Sequence, residues 1–377
     1  VLLVGGLARA HGPAPAPLDV LTGTSAVPGL VRSSVGLASR LPDGTYEYVC
    51  PSRWDGNERA LAAARADGQE VLVHSAGVAY HSRDGGCTFA EVTDGAIYVT
   101  AAVSWGDGFL VVAEGYPEDS DPDRSLVFRW HEGTLRAWPW EGGVIDGALS
   151  IEGGVVVSGA RPEPFVAVLE QTGASSRAVP AMPELRRLTP RAEAGGAVWL
   201  AARDGDAGRL VQVAIDGAIE DGALHDVAHG PVRLGARWLA VLDGVLHEHP
   251  IGPGAWRAVG QVPWTCLGTV GLEPYACSLE GLFALRDDGA MPTAIPSFSM
   301  RQLGPPRACG DADQVSACRR DWAHFGGESG WVDTAPARTP TEPRRPLSAG
   351  GCAVGGGGSG WLGVALLFIA ALRRRRA

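Results

Sequence analysis

Residues 77–92 read GVAYHSRDGGCTFAEV. Two apolar runs, VAY and the one opening at Phe89, flank the polar hinge Ser82-Arg83-Asp84-Gly85-Gly86. Such a hinge is a tight turn. Glycine reaches backbone angles closed to other residues, and an Asp carboxylate takes up N–H groups that the turn leaves unpaired. The stretch is therefore a strand, a turn and a second strand. The same order returns in residues 36–49 (GLASRLPDGTYEYV) and 281–289 (GLFALRDDG), and in degenerate form in 244–256 (GVLHEHPIGPGAW).

Outward from that unit, residues 30–300 hold many short β-branched or aromatic runs. Examples are EVLVH (70–74), FLVVAEG (109–115), SLVFRW (125–130), GVVVSG (154–159) and WLAVLDG (238–244), with Gly and Asp clusters between them. No long stretch carries the apolar period of an amphipathic helix. With 53 Gly and 27 Pro the chain is poorly suited to a helical bundle, since both residues weaken helix interiors. The runs recur about every forty residues, the length of a four-stranded propeller blade. The expected fold is all-β: a β-propeller of about seven four-stranded blades over residues 31–304, with six or eight left open. Residues 31–57 are a partial repeat. Strands from 297–310 are expected to complete it and close the ring.

Charge narrows the partners. The formal net charge is −10, every basic residue is Arg, and seven of the 32 arginines lie beyond residue 332. The remaining 25 face 40 acids. An acidic body repels phosphate backbones, so nucleic acid is not an expected partner. Without lysine no G-x-x-x-x-G-K-[ST] phosphate loop can exist.

The two ends read as sorting signals. Residues 1–10 (VLLVGGLARA) resemble the end of a secretory signal with an A-x-A cleavage site, and 11–30 an N-terminal extension. Residues 333–351 are a Pro/Arg-rich linker. In the segment 352–377, uncharged residues 353–372 are expected to form one transmembrane helix, followed by Arg373 to Arg376. The arginine cluster should stay cytoplasmic, leaving the body outside, anchored at the cell envelope. Linker, Gly-Cys, apolar span and Arg cluster together resemble the MYXO-CTERM sorting tail of myxobacterial surface proteins. That resemblance implies a sorting protease acting near Cys352, and lipidation of Cys352.

Six cysteines remain apart from Cys352: Cys50, Cys87, Cys266, Cys277, Cys309 and Cys318. In an exported chain an even set points to disulfides rather than zinc, and no C-x-x-C pair occurs. Local closure favours Cys266–Cys277 across a hairpin and Cys309–Cys318 around a polar loop in a disulfide-closed cap (305–332). Elimination leaves Cys50–Cys87. Spacing cannot exclude the other pairings.

Candidate chemistry is sparse. Asp119, Asp121 and Asp123 alternate in a way that could hold calcium, though the Gly and Glu of an EF-hand loop are missing; a solvated hairpin tip is the preferred reading, and no cofactor is otherwise expected. His247 and His249 would share a strand face, without an evident third metal ligand. Most of the twelve Trp are expected to fill the gaps between blades.

Ser82, Asp84, Gly86, Thr88 and Phe89 fit S-x-D-x-G-x-[ST]-[WF]. This resembles the Asp-box of sialidase-like (BNR) propellers, where the motif is structural. Thr88 would tie the second strand and Phe89 would wedge between sheets. A sialidase site also needs an arginine triad, a Tyr–Glu nucleophile pair and an acid Asp. The usual R-I-P motif is absent. The expected function is a non-catalytic surface binding or scaffold module for a protein or glycan ligand. An exo-acting glycosidase with a central-pocket site is the alternative.

Overall fold

The computed structural model describes residues 16–326, apart from 24–25, 57–59, 94–96, 116–123, 171–172, 179–186, 195–196, 205–206, 215–218, 226–228, 252–253 and 290. Seven antiparallel sheets follow one another along the chain, each with its strands paired in sequence order. Their first strands are Pro17–Gly23, Leu61–Ala64, Ile97–Trp105, Gly147–Ile151, Arg187–Ala194, His229–Leu234 and Cys266–Val270. Each first strand touches the next, and Cys266–Val270 touches Pro17–Gly23. The result is a seven-bladed β-propeller with blades at 17–49, 61–91, 97–138, 147–178, 187–225, 229–261 and 266–298.

The blades need one another. A four-stranded sheet with two apolar faces cannot hide either face alone. Among the described residues there are seven apolar clusters, one at each seam. Leu37 and Val49 of the first blade meet Val71 and Val73 of the second. Leu110 of the third meets Val155 and Val157 of the fourth. Tyr46 and Tyr48 of the first meet Tyr275 and Leu282 of the seventh. This explains the unbroken apolar runs: Val71–Ser75 and Gly154–Gly159 lie second in their blades and are buried at every residue. The tryptophans behave accordingly. Trp105, Trp130, Trp140, Trp199, Trp238 and Trp264 are all buried.

Ring closure differs from the sequence reading. The first blade needs no completion, because Pro17–Gly23 and Pro28–Ser33, inside or overlapping the segment 11–30, supply its first two strands. The C-terminal strand Leu303–Gly304 adds a fifth, pairing parallel with Tyr46–Val49. Beyond it lies helix α1 (Ala312–Gly326). Asp311 caps it, accepting the Gln314 N–H at 2.8 Å. The stretch read above as a disulfide-closed loop is thus mostly helix. No described helix is long and apolar enough to cross a membrane. The signal 1–10, the linker, the 353–372 span and Cys352 lie outside the described residues.

Candidate functional site

The turn that opened the sequence reading is held by its own side chains. Asp84 Oδ1 accepts the Thr88 N–H at 2.9 Å, and Oδ2 accepts the Thr88 hydroxyl at 2.7 Å. The Ser82 hydroxyl donates to Asp84 at 2.8 Å and accepts the Gly86 N–H at 2.9 Å. Burial raises the Asp84 pKa, but these hydrogen bonds outweigh it and hold the carboxyl below the ordinary range. Gly86 has φ +87°, and a Cβ there would sit 3.1 Å from Val49. Residues 41–46 repeat the device: Asp43 accepts both the N–H and the hydroxyl of Thr45. Truncating Asp84 to alanine orphans these donors and is expected to cost about 2 kcal/mol. Urea unfolding at pH 7 measures it, and a loss under about 0.5 kcal/mol would mean the turn holds without its carboxylate.

The turn faces a seam. Phe89 meets Trp54 edge-on at 5.3 Å and packs against the cluster shared by the first two blades. Buried Arg53 donates to Gly86 O and to Arg307 O, both at 2.8 Å. Glu47, also buried, pairs with Arg307. Burial pushes the Glu47 carboxyl up, opposed by Arg307 and then Arg53. The C-terminal segment is therefore clamped over the first and second blades.

Disulfides complete the clamp, and two of the expected pairings are overturned. Cys50 joins Cys318 and Cys87 joins Cys309, across 268 and 222 residues of sequence; only Cys266–Cys277 is the local pair. Local spacing failed because ring closure lays residues 305–326 beside the exits of the first two blades. Cys50 follows the last strand of the first blade directly, and Cys87 sits in the Asp84 turn. Nothing in the spacing signals Glu47, Arg53 or Arg307, which lie together only because the ring closes.

The axis is lined by the seven first strands. Their described, unburied side chains include Leu18, Leu61, Ala62, Tyr98, Thr100, Ala102, Ser150, Arg191, Arg233 and Thr269. The one described acidic side chain on these strands is Asp19, and it turns into the first–seventh seam. There Tyr275 donates to Asp19 and accepts the Val20 N–H at 3.2 Å. Burial raises both pKa values, and the neighbouring Asp19 raises that of Tyr275 further. Tyr98, on the third blade's first strand, lies against Gly77, where a Cβ would come within 2.2 Å of its ring. No Tyr–Glu pair stands at the axis among the described side chains.

His74, on the second strand of the second blade, is buried, and burial, with the Arg32 charge adding to it, lowers its pKa from 6.5 to about 4. The folded state thus refuses a proton that the unfolded chain accepts below pH 6.5. Stability is full above that pH, falls between 6.5 and about 4, and is flat below. Between pH 7 and 4.5 the group is expected to cost about 2–3 kcal/mol. Urea titrations at both values should show a smaller loss in His74→Gln; equal losses would remove His74 as the cause.

Of the remaining candidates, Asp119, Asp121 and Asp123 fall in 116–123, outside the described residues. His249 packs against Trp199 and Trp256, at 5.6 and 5.3 Å, and its Nδ1 lies 2.6 Å from Pro250 O. His247 Nδ1 lies 3.1 Å from Val245 O. Among the described residues no three His, Cys, Asp or Glu side chains group as metal ligands.

No protein-family model matches the chain, and no curated protein is a significant match. Solved structures with similar folds include PorZ, a surface component of the type-IX secretion system of Porphyromonas gingivalis. It is 12% identical with TM-score 0.47, over 76% of this chain and 39% of that one. The extracellular domain of a hybrid two-component system from B. thetaiotaomicron is 12% identical with TM-score 0.49, over 73% and 38%. YCF48 bound to D1 peptide is 13% identical with TM-score 0.45, over 72% and 96%. The chain thus spans about two-fifths of the length of the first two. The propeller assignment rests on the strand pairing itself.

Proposed function

We propose that the chain is an exported surface protein whose propeller is a non-catalytic binding or scaffold module, carried on its C-terminal tail. The observation that carries this reading is the disulfide set: three bridges, two of them joining the start of the ring to its end. Such bridges persist outside the reducing cytosol. The Asp84 turn is read as an Asp-box in its structural role, since both carboxylate oxygens are engaged within the turn. Loops from seven blades converge on the rims of the ring, and a protein or glycan ligand would bind there. The tail is read as a MYXO-CTERM signal, with Cys352 as the residue modified during sorting.

Mass spectrometry of protein recovered from its native host tests the sorting half. The expected result is a C-terminus cut near Cys352, with a lipid mass on that residue; an intact, unmodified tail overturns it. Glycan-array and pull-down binding, run beside a sialidase assay, tests the other half. Binding without turnover is expected, and turnover of a sialoside would establish the glycosidase alternative.

A further inference from the structure

We propose that residues 305–326 are a strap held shut by thiol chemistry, which a dithiol reductant releases from an otherwise intact ring. Between residues 305 and 323 one residue is buried, and it is Cys318 itself. Trp322 is half-buried, meeting Tyr48 at 5.7 Å. Helix α1 touches the ring at the turn Pro51–Arg53. A helix of fifteen residues with so little apolar cover is marginal in water by itself. Ordering each residue costs about 1–2 kcal/mol, which one half-buried indole, the Glu47–Arg307 pair and the Arg53 bond to Arg307 O do not offset. The two bridges hold the strap.

The bridges differ in access. Cys87 and Cys309 are partly exposed, whereas Cys50 and Cys318 are buried. Cys266 and Cys277 are buried within the seventh blade. Thiolate attack needs access to sulfur, so release runs in order: Cys87–Cys309 first, then Cys50–Cys318 as the helix lifts. In each step a dithiol supplies two electrons and two protons through a mixed disulfide. The protein disulfide becomes two thiols and the dithiol closes into its own disulfide. Release uncovers Tyr48, which belongs to the first–seventh seam, and the Pro51–Arg53 turn beside the second blade's Asp84 turn. Leu303, which is buried, keeps the closing strand in place.

The test uses the oxidised full chain. Dithiothreitol is added in steps, free thiols are trapped with iodoacetamide, and peptides are read by mass spectrometry beside amide hydrogen exchange. Cys87 and Cys309 should alkylate first, Cys50 and Cys318 second, Cys266 and Cys277 last. Exchange across 312–323 should rise at least ~tenfold once both strap bridges are cut, while strands Gly108–Gly115 and Gly154–Gly159 keep their protection. The double variant Cys87→Ser/Cys309→Ser should open its remaining strap bridge faster than the native chain does. The proposal fails if Cys266–Cys277 opens first, if helix exchange is unmoved after both cuts, or if the whole ring exchanges with the strap.

Discussion

Truncating Trp199 to alanine is expected to destabilise the propeller by about 3–5 kcal/mol, the range for emptying a fully buried aromatic site. Trp199 belongs to the second strand of the fifth blade and is wholly buried. Its ring meets Trp238 at 5.9 Å, His249 at 5.6 Å and Trp256 at 5.3 Å, all from the sixth blade. The cavity would open at a seam, where two stiff sheets cannot collapse into it. Trp199→Phe should cost far less, under about 1.5 kcal/mol. It keeps most of the volume and discards an indole N–H that has no acceptor among the described residues. Denaturant unfolding of both variants measures the difference. Equal losses would show that this seam tolerates empty space, contrary to packing as the source of its cohesion.

Replacing Cys50 and Cys318 together by alanine should cost about 4 kcal/mol, because with Cys87–Cys309 still closed that bridge shuts a loop of roughly 45 residues in the unfolded chain. The same change at Cys266 and Cys277, only 11 apart in sequence, should cost about 2–3 kcal/mol. Urea unfolding without reductant ranks the two. If the short bridge proved the costlier, loop entropy would not be what the long one contributes.

Legibility followed range along the chain. The turn at Asp84 could be read from eight residues, since the Ser82 and Asp84 side-chain bonds that close it reach at most four positions along the chain. The hairpin pairing Cys266 with Cys277 was readable for the same reason: the two residues face each other across adjacent strands. The blade period was readable because each blade repeats one local pattern. The unbroken apolar runs announced strands buried on both faces but not which neighbour buries them.

By itself, then, the sequence determined the unit: short strands, Asp–Gly turns, apolar faces that no single sheet can hide, and hence a closed ring. Tertiary structure alone decided how the ring is locked. Cys50 met Cys318, Glu47 met Arg307, and Asp19 met Tyr275, because seven rigid sheets turning through one circle bring the start of the ring and its end together. Those partners are more than 250 residues apart. At that distance spacing carries no information about contact, and only the summed packing of every blade between them sets where the ends arrive.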